Sequence, residues 1–278
     1  MEIQISRRFN GPEYDMTCRS SDNVLFKLNT KDIEMHSNMM TMFKSGNSKG
    51  GDGIDNSDKE VPSIALTETS SVLELLFQFM RNQPQPELTS ITFTALLSLT
   101  VAAEKYQVYA VTDRCKVRLR ECIPQHPLQV LDLAANHKYA ALMDEAAPHT
   151  IELKLKDVQS ILKPHVFNAW IRYHRTWMDL LHDAYTYQEP TRWHWEGFRD
   201  KVGVKAMDSP CEVWTEVWAK VAHRLAAKPE SLLQVDDIFH DTQEVIGMRC
   251  MSCPKWIEDW HKEVKYQMSK QPKFSTFM

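Results

Sequence analysis

The sequence has no apolar run of the roughly 18 residues that a membrane helix needs. Its first residues, MEIQISRRFNG, also lack the apolar core of a secretory leader. Six cysteines are scattered over the 278 residues, and only Cys250 and Cys253 stand close together. Reduced thiols are the expectation for such a chain. We therefore predict an intracellular protein, cytoplasmic or nuclear, with no membrane partner.

The chain also lacks an excess of positive charge. It has 33 Lys and Arg against 37 Asp and Glu, a net charge of −4. Binding to a phosphate backbone needs clustered Lys and Arg. Nucleic acid is therefore not expected as a partner.

Enzyme signatures are missing as well. The sequence contains no Gly-x-Ser-x-Gly, no His-Glu-x-x-His and no Rossmann glycine fingerprint. The glycine-rich text at 44–62, KSGNSKGGDGIDNSDKEVP, lacks the Gly-Lys-Ser/Thr ending of a phosphate loop. Its polar composition instead predicts a disordered insert at about residues 44–62. We expect no enzymatic activity, no catalytic residue and no cofactor.

The stretch from Asp15 to Phe43 has the clearest pattern in the chain. Apolar residues alternate with polar ones in two short runs, Met16–Cys18 and Val24–Leu28, which is typical of strands with one buried face. Turn-forming residues, Ser-Ser-Asp-Asn, join the runs. Helical spacing follows, so we predict a β-hairpin that leads into two short helices.

The elements after the insert follow from the same kind of pattern. A short strand is predicted at 63–66, and stripes of apolar residues predict helices at 70–81, 89–103 and 106–122. The sequence Ala-Ala-Glu-Lys-Tyr, residues 102–106, joins the last two helices.

This arrangement resembles the BTB/POZ domain. In that family a hairpin leads into two short helices, the second ending in Met-Phe, and Ala-Ala-[Asp/Glu]-Lys-Tyr introduces the last helix pair. The resemblance covers about residues 14–122. It is carried by Asp15, Phe26, Ile33, Ser37, Met42, Phe43 and Ala102–Tyr106.

The resemblance implies a protein–protein interaction module. BTB domains commonly form homodimers, and some dock a cullin scaffold as substrate adaptors of ubiquitin ligases. An alternative is a transcription-linked or structural oligomer without a ligase role. Methionine suits an adaptable contact surface because its unbranched thioether repacks easily. The predicted dimer or partner interface consists of Met35, Met39, Met40, Met42 and Phe43.

The second half of the chain differs in composition. Pro124 and Pro127 mark a boundary, and all eight tryptophans lie between Trp170 and Trp260. Helices are predicted at 128–139, 144–155 and 165–184, and another from Cys253, with a frayed end at 271–278. The predicted fold is mainly α with a small β-sheet (α+β): a BTB/POZ domain at 14–123, then an all-helical C-terminal domain at 124–278.

The pair Cys250 and Cys253 has the spacing of half a zinc site and also of a redox pair. A zinc site needs two more ligands, for which Cys211, His240 and His261 are available. Ordinary reduced cysteines at a helix start are the other interpretation. A zinc-binding or redox protein is therefore a further alternative function.

Overall fold

In a computed structural model of the chain, the described residues are 4–41, 63–81, 83–187, 212–246 and 253–278. The chain divides into two compact units, residues 1–126 and 127–278. The insert predicted at about residues 44–62 lies outside the described residues.

The first unit contains a small mixed sheet. Its strands are β1 (Gln4–Ile5), β2 (Met16–Arg19), β3 (Val24–Leu28) and β4 (Ser63–Ala65). They lie in the order β1-β3-β2-β4. The hairpin strands β2 and β3 pair antiparallel, with Cys18 opposite Phe26. The outer strands are parallel to their neighbours, β1 to β3 and β4 to β2.

The β2–β3 hairpin confirms the predicted alternation and turn. Its inward-facing residues are Met16, Cys18, Phe26 and Leu28, all buried. At the turn, Asn23 has a φ of 63°, a left-handed conformation that Asn adopts more readily than most residues. The Val24 N–H donates to Ser20 Oγ at 2.9 Å, which closes the turn.

Helices pack on this sheet. The helices described in the first unit are α1 (Thr30–His36), α2 (Ser70–Phe79), α3 (Phe93–Lys105) and α4 (Tyr109–Cys122). Phe9, Phe26 and Phe77 meet between sheet and helix, with ring centroids 5.4 to 5.8 Å apart in tilted or edge-to-face contact. Aromatic rings favour these arrangements. Phe9 precedes β2 and is completely buried, so this residue belongs to the core.

The second unit is helical throughout its described residues. Its helices are α5 (Pro127–Asn136), α6 (Ala140–Ala146), α7 (Leu155–Ile161), α8 (Pro164–Tyr185), α9 (Glu212–Ala226), α10 (Val235–Ile246) and α11 (Cys253–Ser269). Short 3₁₀ turns lie at Ala147–Thr150, Pro229–Gln234 and Phe274–Phe277.

The helix predicted at 144–155 is wrong. The α-helix ends at Ala146, a 3₁₀ turn follows, and the next helix begins at Leu155. Pro148 lies within that turn. Proline has no backbone N–H to donate and its ring crowds the preceding carbonyl, so it interrupts the α-helical ladder.

Tryptophans form much of the second core. Trp170 and Trp260 are almost completely buried. Trp170 Nε1 donates to Thr150 Oγ1 at 2.8 Å, and Trp260 Nε1 donates to the Ala184 carbonyl at 2.9 Å. A buried indole N–H without such an acceptor would cost free energy.

The predicted frayed end at 271–278 is also wrong. Residues Phe274–Phe277 form a 3₁₀ turn, and only 1% of the Phe274 side chain is exposed. The Phe274 ring packs edge-on against Tyr173 of α8 at 5.4 Å. Burial of the Phe274 ring holds the segment in place.

The fold class is therefore mainly α with a small mixed sheet, as predicted. Among the described helices, none has the length and apolar content that crossing a membrane requires.

Candidate docking surface of the first unit

Helix α1 is short, and polar side chains hold its first turn. The Thr30 N–H donates to Asp15 Oδ1 at 2.7 Å, and Thr30 Oγ1 donates to Asp15 Oδ2 at 2.5 Å. Asn29, the N-cap, accepts from the Lys31 N–H at 3.0 Å. These bonds satisfy N–H groups that lack a partner within the helix. They fix the helix on the hairpin, because Asp15 directly precedes β2.

The electrostatics of Asp15 fit this role. Burial by itself raises the pKa of its carboxyl group, but the bonds from the Thr30 side chain and backbone outweigh burial and lower the pKa. Asp15 is therefore a charged acceptor at neutral pH, the form that binds N–H and O–H donors most strongly.

The predicted interface residues differ in their exposure to solvent. Met35 on α1 is 77% exposed, whereas Met39 is completely buried and Met40 is half-buried. Met42 and Phe43 lie outside the described residues. Met39 is therefore corrected from a contact residue to a core residue.

Helical geometry accounts for the exposure of Met35. Ile33, the buried residue of α1, is 2% exposed. Met35 follows it by two positions, and successive residues turn by about 100°, so the two side chains point about 200° apart. The methionine therefore faces away from the core that holds Ile33.

Further apolar side chains are exposed on this unit that the sequence analysis did not single out. Tyr109 and Val117 on α4 are 67% and 55% exposed, and Val101 on α3 is 46% exposed. The signal was present in the sequence, because the buried stripe of α4 (Val111, Cys115, Leu119) leaves positions 109 and 117 on the other side.

The Ala102–Tyr106 motif makes a polar cluster that we call the Glu68 clamp, formed by Thr67, Glu68, Lys105 and Tyr106. Lys105 Nζ lies 2.7 Å from Glu68 Oε1 and 2.8 Å from Thr67 Oγ1. The Tyr106 hydroxyl donates to Glu68 Oε2 at 2.5 Å. The clamp ties the loop after β4 to the end of α3.

The clamp extends to the hairpin, since the Ser21 N–H donates to the Glu68 carbonyl at 2.9 Å. Burial raises the pKa of Glu68, but bonds from Lys105 and Tyr106 outweigh it and lower the pKa. Burial and the neighbouring carboxylate raise the pKa of Tyr106. Neither Glu68 nor Tyr106 is therefore poised to exchange a proton near neutral pH, and the geometry of the clamp suits a structural tie.

The cysteines of this unit lie away from solvent or are partly covered. Burial raises the pKa of Cys18 to about 12 and that of Cys115 to about 11. Thiols in this state are poor nucleophiles and metal ligands, because both roles need the thiolate.

Only part of the candidate zinc site can be located. Cys250 and Cys211 lie outside the described residues. Cys253 is buried at the start of α11, and His261 Nε2 lies 2.7 Å from Asp236 Oδ1. A helix rises about 1.5 Å per residue, so Cys253 and His261 are about 12 Å apart along α11, too far to share one ion.

Across the described ranges, no three His, Cys, Asp or Glu side chains gather as metal ligands would. The complete zinc site stays a prediction.

The comparisons with known proteins place the chain in no family. No protein-family model matches the sequence, and a search of curated proteins finds no match. The function is therefore argued from the residues and their geometry.

Proposed function

We propose that the first unit is a BTB/POZ-like docking domain and that the protein is an intracellular, non-enzymatic interaction module. The observation that carries the proposal is the position of the Ala102–Tyr106 motif. It lies at the junction of α3 and α4, where the family resemblance expects it, and Lys105 and Tyr106 bind Glu68.

The element order supports the same proposal. A hairpin is followed by the short helix α1, then by β4 and the helices α2, α3 and α4. The resemblance implies this order with a second short helix after α1, whose predicted end at Met42 and Phe43 lies outside the described residues. The tie between the loop after β4 and the helix pair makes a rigid platform, on which an exposed side chain keeps its position.

Self-association through α1 is the first part of the proposed function. Met35 is the most exposed large apolar side chain of the described residues, at 77%. Covering an exposed apolar side chain is favourable, and the capped backbone of α1 is already ordered before a partner binds. We infer that α1 of one copy packs against α1 of a second copy.

The test is the substitution Met35→Glu, measured by size-exclusion chromatography with light scattering. We expect the wild-type chain to be a dimer at about 10 μM and Met35→Glu to dimerise at least tenfold more weakly, since an unpaired carboxylate would be buried. Met178→Glu is the matched control, because Met178 is an exposed helical methionine of the second unit. A monomeric wild-type chain, or equal loss in both variants, contradicts dimerisation through α1.

The adaptor role is the finer part of the proposal: the first unit docks a cullin, and the second holds a substrate. The division of the chain into two compact units supports this separation of tasks. Affinity purification from the native cell with mass spectrometry tests it. Recovery of a cullin is the expected result. Repeated recovery of a second copy of the chain without a cullin would instead support a structural or transcription-linked oligomer.

A further inference from the structure

The segment Phe274–Phe277, which we call the FSTF segment, is held in the second unit by contacts unlike those of a simple helix end. Phe274 is 1% exposed, and its ring lies edge-on to Tyr173 at 5.4 Å. Phe277 also lies edge-on to the Tyr173 ring, at 6.0 Å. One tyrosine of α8 thus contacts both aromatic rings of the segment.

Ser275 lies between the two phenylalanines in sequence, and a carboxylate of α6 binds its backbone and its side chain. The Ser275 N–H donates to Asp144 Oδ1 at 2.8 Å, and Ser275 Oγ donates to Asp144 Oδ2 at 3.0 Å. A residue without a hydroxyl could make only the first bond. The carboxylate therefore selects serine or threonine at this position.

The last residue of the segment, Phe277, contacts an arginine side chain. Arg172 of α8 donates through Nη2 to the Phe277 carbonyl, and its guanidinium lies 5.8 Å from the Phe277 ring centroid. The segment is connected to α11 by Lys270–Lys273, which includes Pro272. Apart from Phe274 the segment is only partly covered, because Ser275 and Phe277 are half-buried and Thr276 is exposed.

These contacts match the way proteins recognise short peptide segments. Two aromatic side chains provide apolar burial. A carboxylate accepts hydrogen bonds from the hydroxyl and the backbone N–H of one residue, and an arginine donates to a backbone carbonyl. All of the recognition comes from four consecutive residues. We propose that the groove between α6 and α8 is a binding site for a partner protein segment with the pattern Phe-Ser/Thr-x-Phe, which the chain's own FSTF segment occupies as an internal competitor.

The proposal is independent of the docking role of the first unit, because every residue it uses belongs to the second. It predicts that the FSTF segment leaves the groove without unfolding of the helices around it. It also predicts that a free peptide of the same sequence binds the emptied groove.

The experiment uses the full-length chain and a fluorescein-labelled peptide, KQPKFSTFM, that copies residues 270–278. The double variant Phe274→Ala/Phe277→Ala removes the internal competitor. By fluorescence anisotropy we expect it to bind the peptide at least tenfold more tightly than the wild-type chain does. Lys273→Ala/Thr276→Ala is the matched control, since both side chains are exposed, and it should bind like the wild type.

Specificity is tested with altered peptides. Replacing the first Phe by Ala should weaken binding at least tenfold, because the deepest anchor is lost. A phosphoserine in place of the serine should weaken binding as much, since its charge would face Asp144. Adding Asp144→Asn to the double variant should weaken binding of the original peptide. A folded double variant that fails to bind it, or that binds all peptides equally, overturns the proposal.

A second measurement on the wild-type chain covers the case in which the double variant does not fold. In native-state hydrogen exchange, the Ser275 and Thr276 amides should exchange at least tenfold faster than the interior amides of α8, through local opening. Exchange of all these amides at one common rate would show that the segment opens only when the unit unfolds. That result also overturns the proposal.

Discussion

Glu68 lies between two different donors, the ammonium group of Lys105 and the hydroxyl of Tyr106. Only 13% of its side chain is exposed. Removal of one donor therefore leaves a carboxylate oxygen partly buried without a protein partner. We expect Tyr106→Phe to lower the free energy of unfolding by about 1–3 kcal/mol, the cost of one unsatisfied buried polar group.

Urea denaturation at pH 7 measures this effect. Tyr109→Phe is the matched control, because Tyr109 is 67% exposed and nearby in sequence, and its change should stay within about 0.5 kcal/mol. If Tyr106→Phe and Tyr109→Phe prove equally stable, the bond between Tyr106 and Glu68 contributes nothing to folding.

We expect His174 to make the stability of the second unit depend on pH. Its imidazole stacks on Trp170 with centroids 4.7 Å apart, and Nε2 lies 3.1 Å from the Ile151 carbonyl. Burial lowers the pKa of His174, and the bond to the carbonyl offsets this only in part. The unfolded chain therefore binds a proton more readily than the folded one. The free energy of unfolding should fall as pH drops below the unfolded pKa of about 6.5.

Urea denaturation at pH 7.5 and pH 5 tests this coupling. His174→Phe keeps an aromatic ring on Trp170 and removes the titrating group, so it should lose less stability over this interval than the wild-type chain. His165→Phe, on the exposed side of α8, is the control and should retain the wild-type loss. An unchanged pH dependence in His174→Phe would contradict the assignment.

The same pair of hydrogen bonds to an aspartate recurs at the beginnings of helices and turns in this chain. Asp15, Asp22 and Asp144 each accept both the N–H and the hydroxyl of a distant serine or threonine. For Asp22 the partner is Ser70, the first residue of α2, at 2.8 and 2.6 Å. These bonds join the hairpin turn to α2 across 48 positions of sequence.

We expect Asp22→Ala to destabilise the first unit by about 1 kcal/mol, the usual cost of losing a helix cap. The loss should appear as faster hydrogen exchange in the first turn of α2. Asp113→Ala is the control, because Asp113 is 79% exposed and makes only a surface ion pair with Lys116. Equal effects of the two substitutions would show that the Asp22–Ser70 contact does not hold α2.

The elements that the sequence predicted best are those with strong periodicity. The hairpin, α4 and α8 lie close to their predicted ranges, because alternating or three-and-four spacing is a local property. The region 144–155 was predicted poorly, since its apolar spacing continues through Pro148 while the backbone ladder does not.

At the level of the complete chain, composition separated a first part from a tryptophan-rich second part, and the structure divides between His126 and Pro127. The contents of each core were harder to predict. Met35 and Met39 have the same chemistry, but Met35 lies on α1 and is exposed, whereas Met39 lies beyond the end of α1 at His36 and is buried. Only the packing around each residue distinguishes them.

The amino-acid pattern was sufficient for the fold class, the hairpin and its turn, and most helices, because these depend on contacts within a few residues. Folding in three dimensions assigned Phe9 and Phe274 to the cores, Met35 to the surface, and Ser70 and Ser275 to their carboxylates. Those outcomes join residues 48 to 131 positions apart, or depend on which face a neighbour covers. Local spacing carries no information about such contacts, because they depend on how distant segments pack in the tertiary structure.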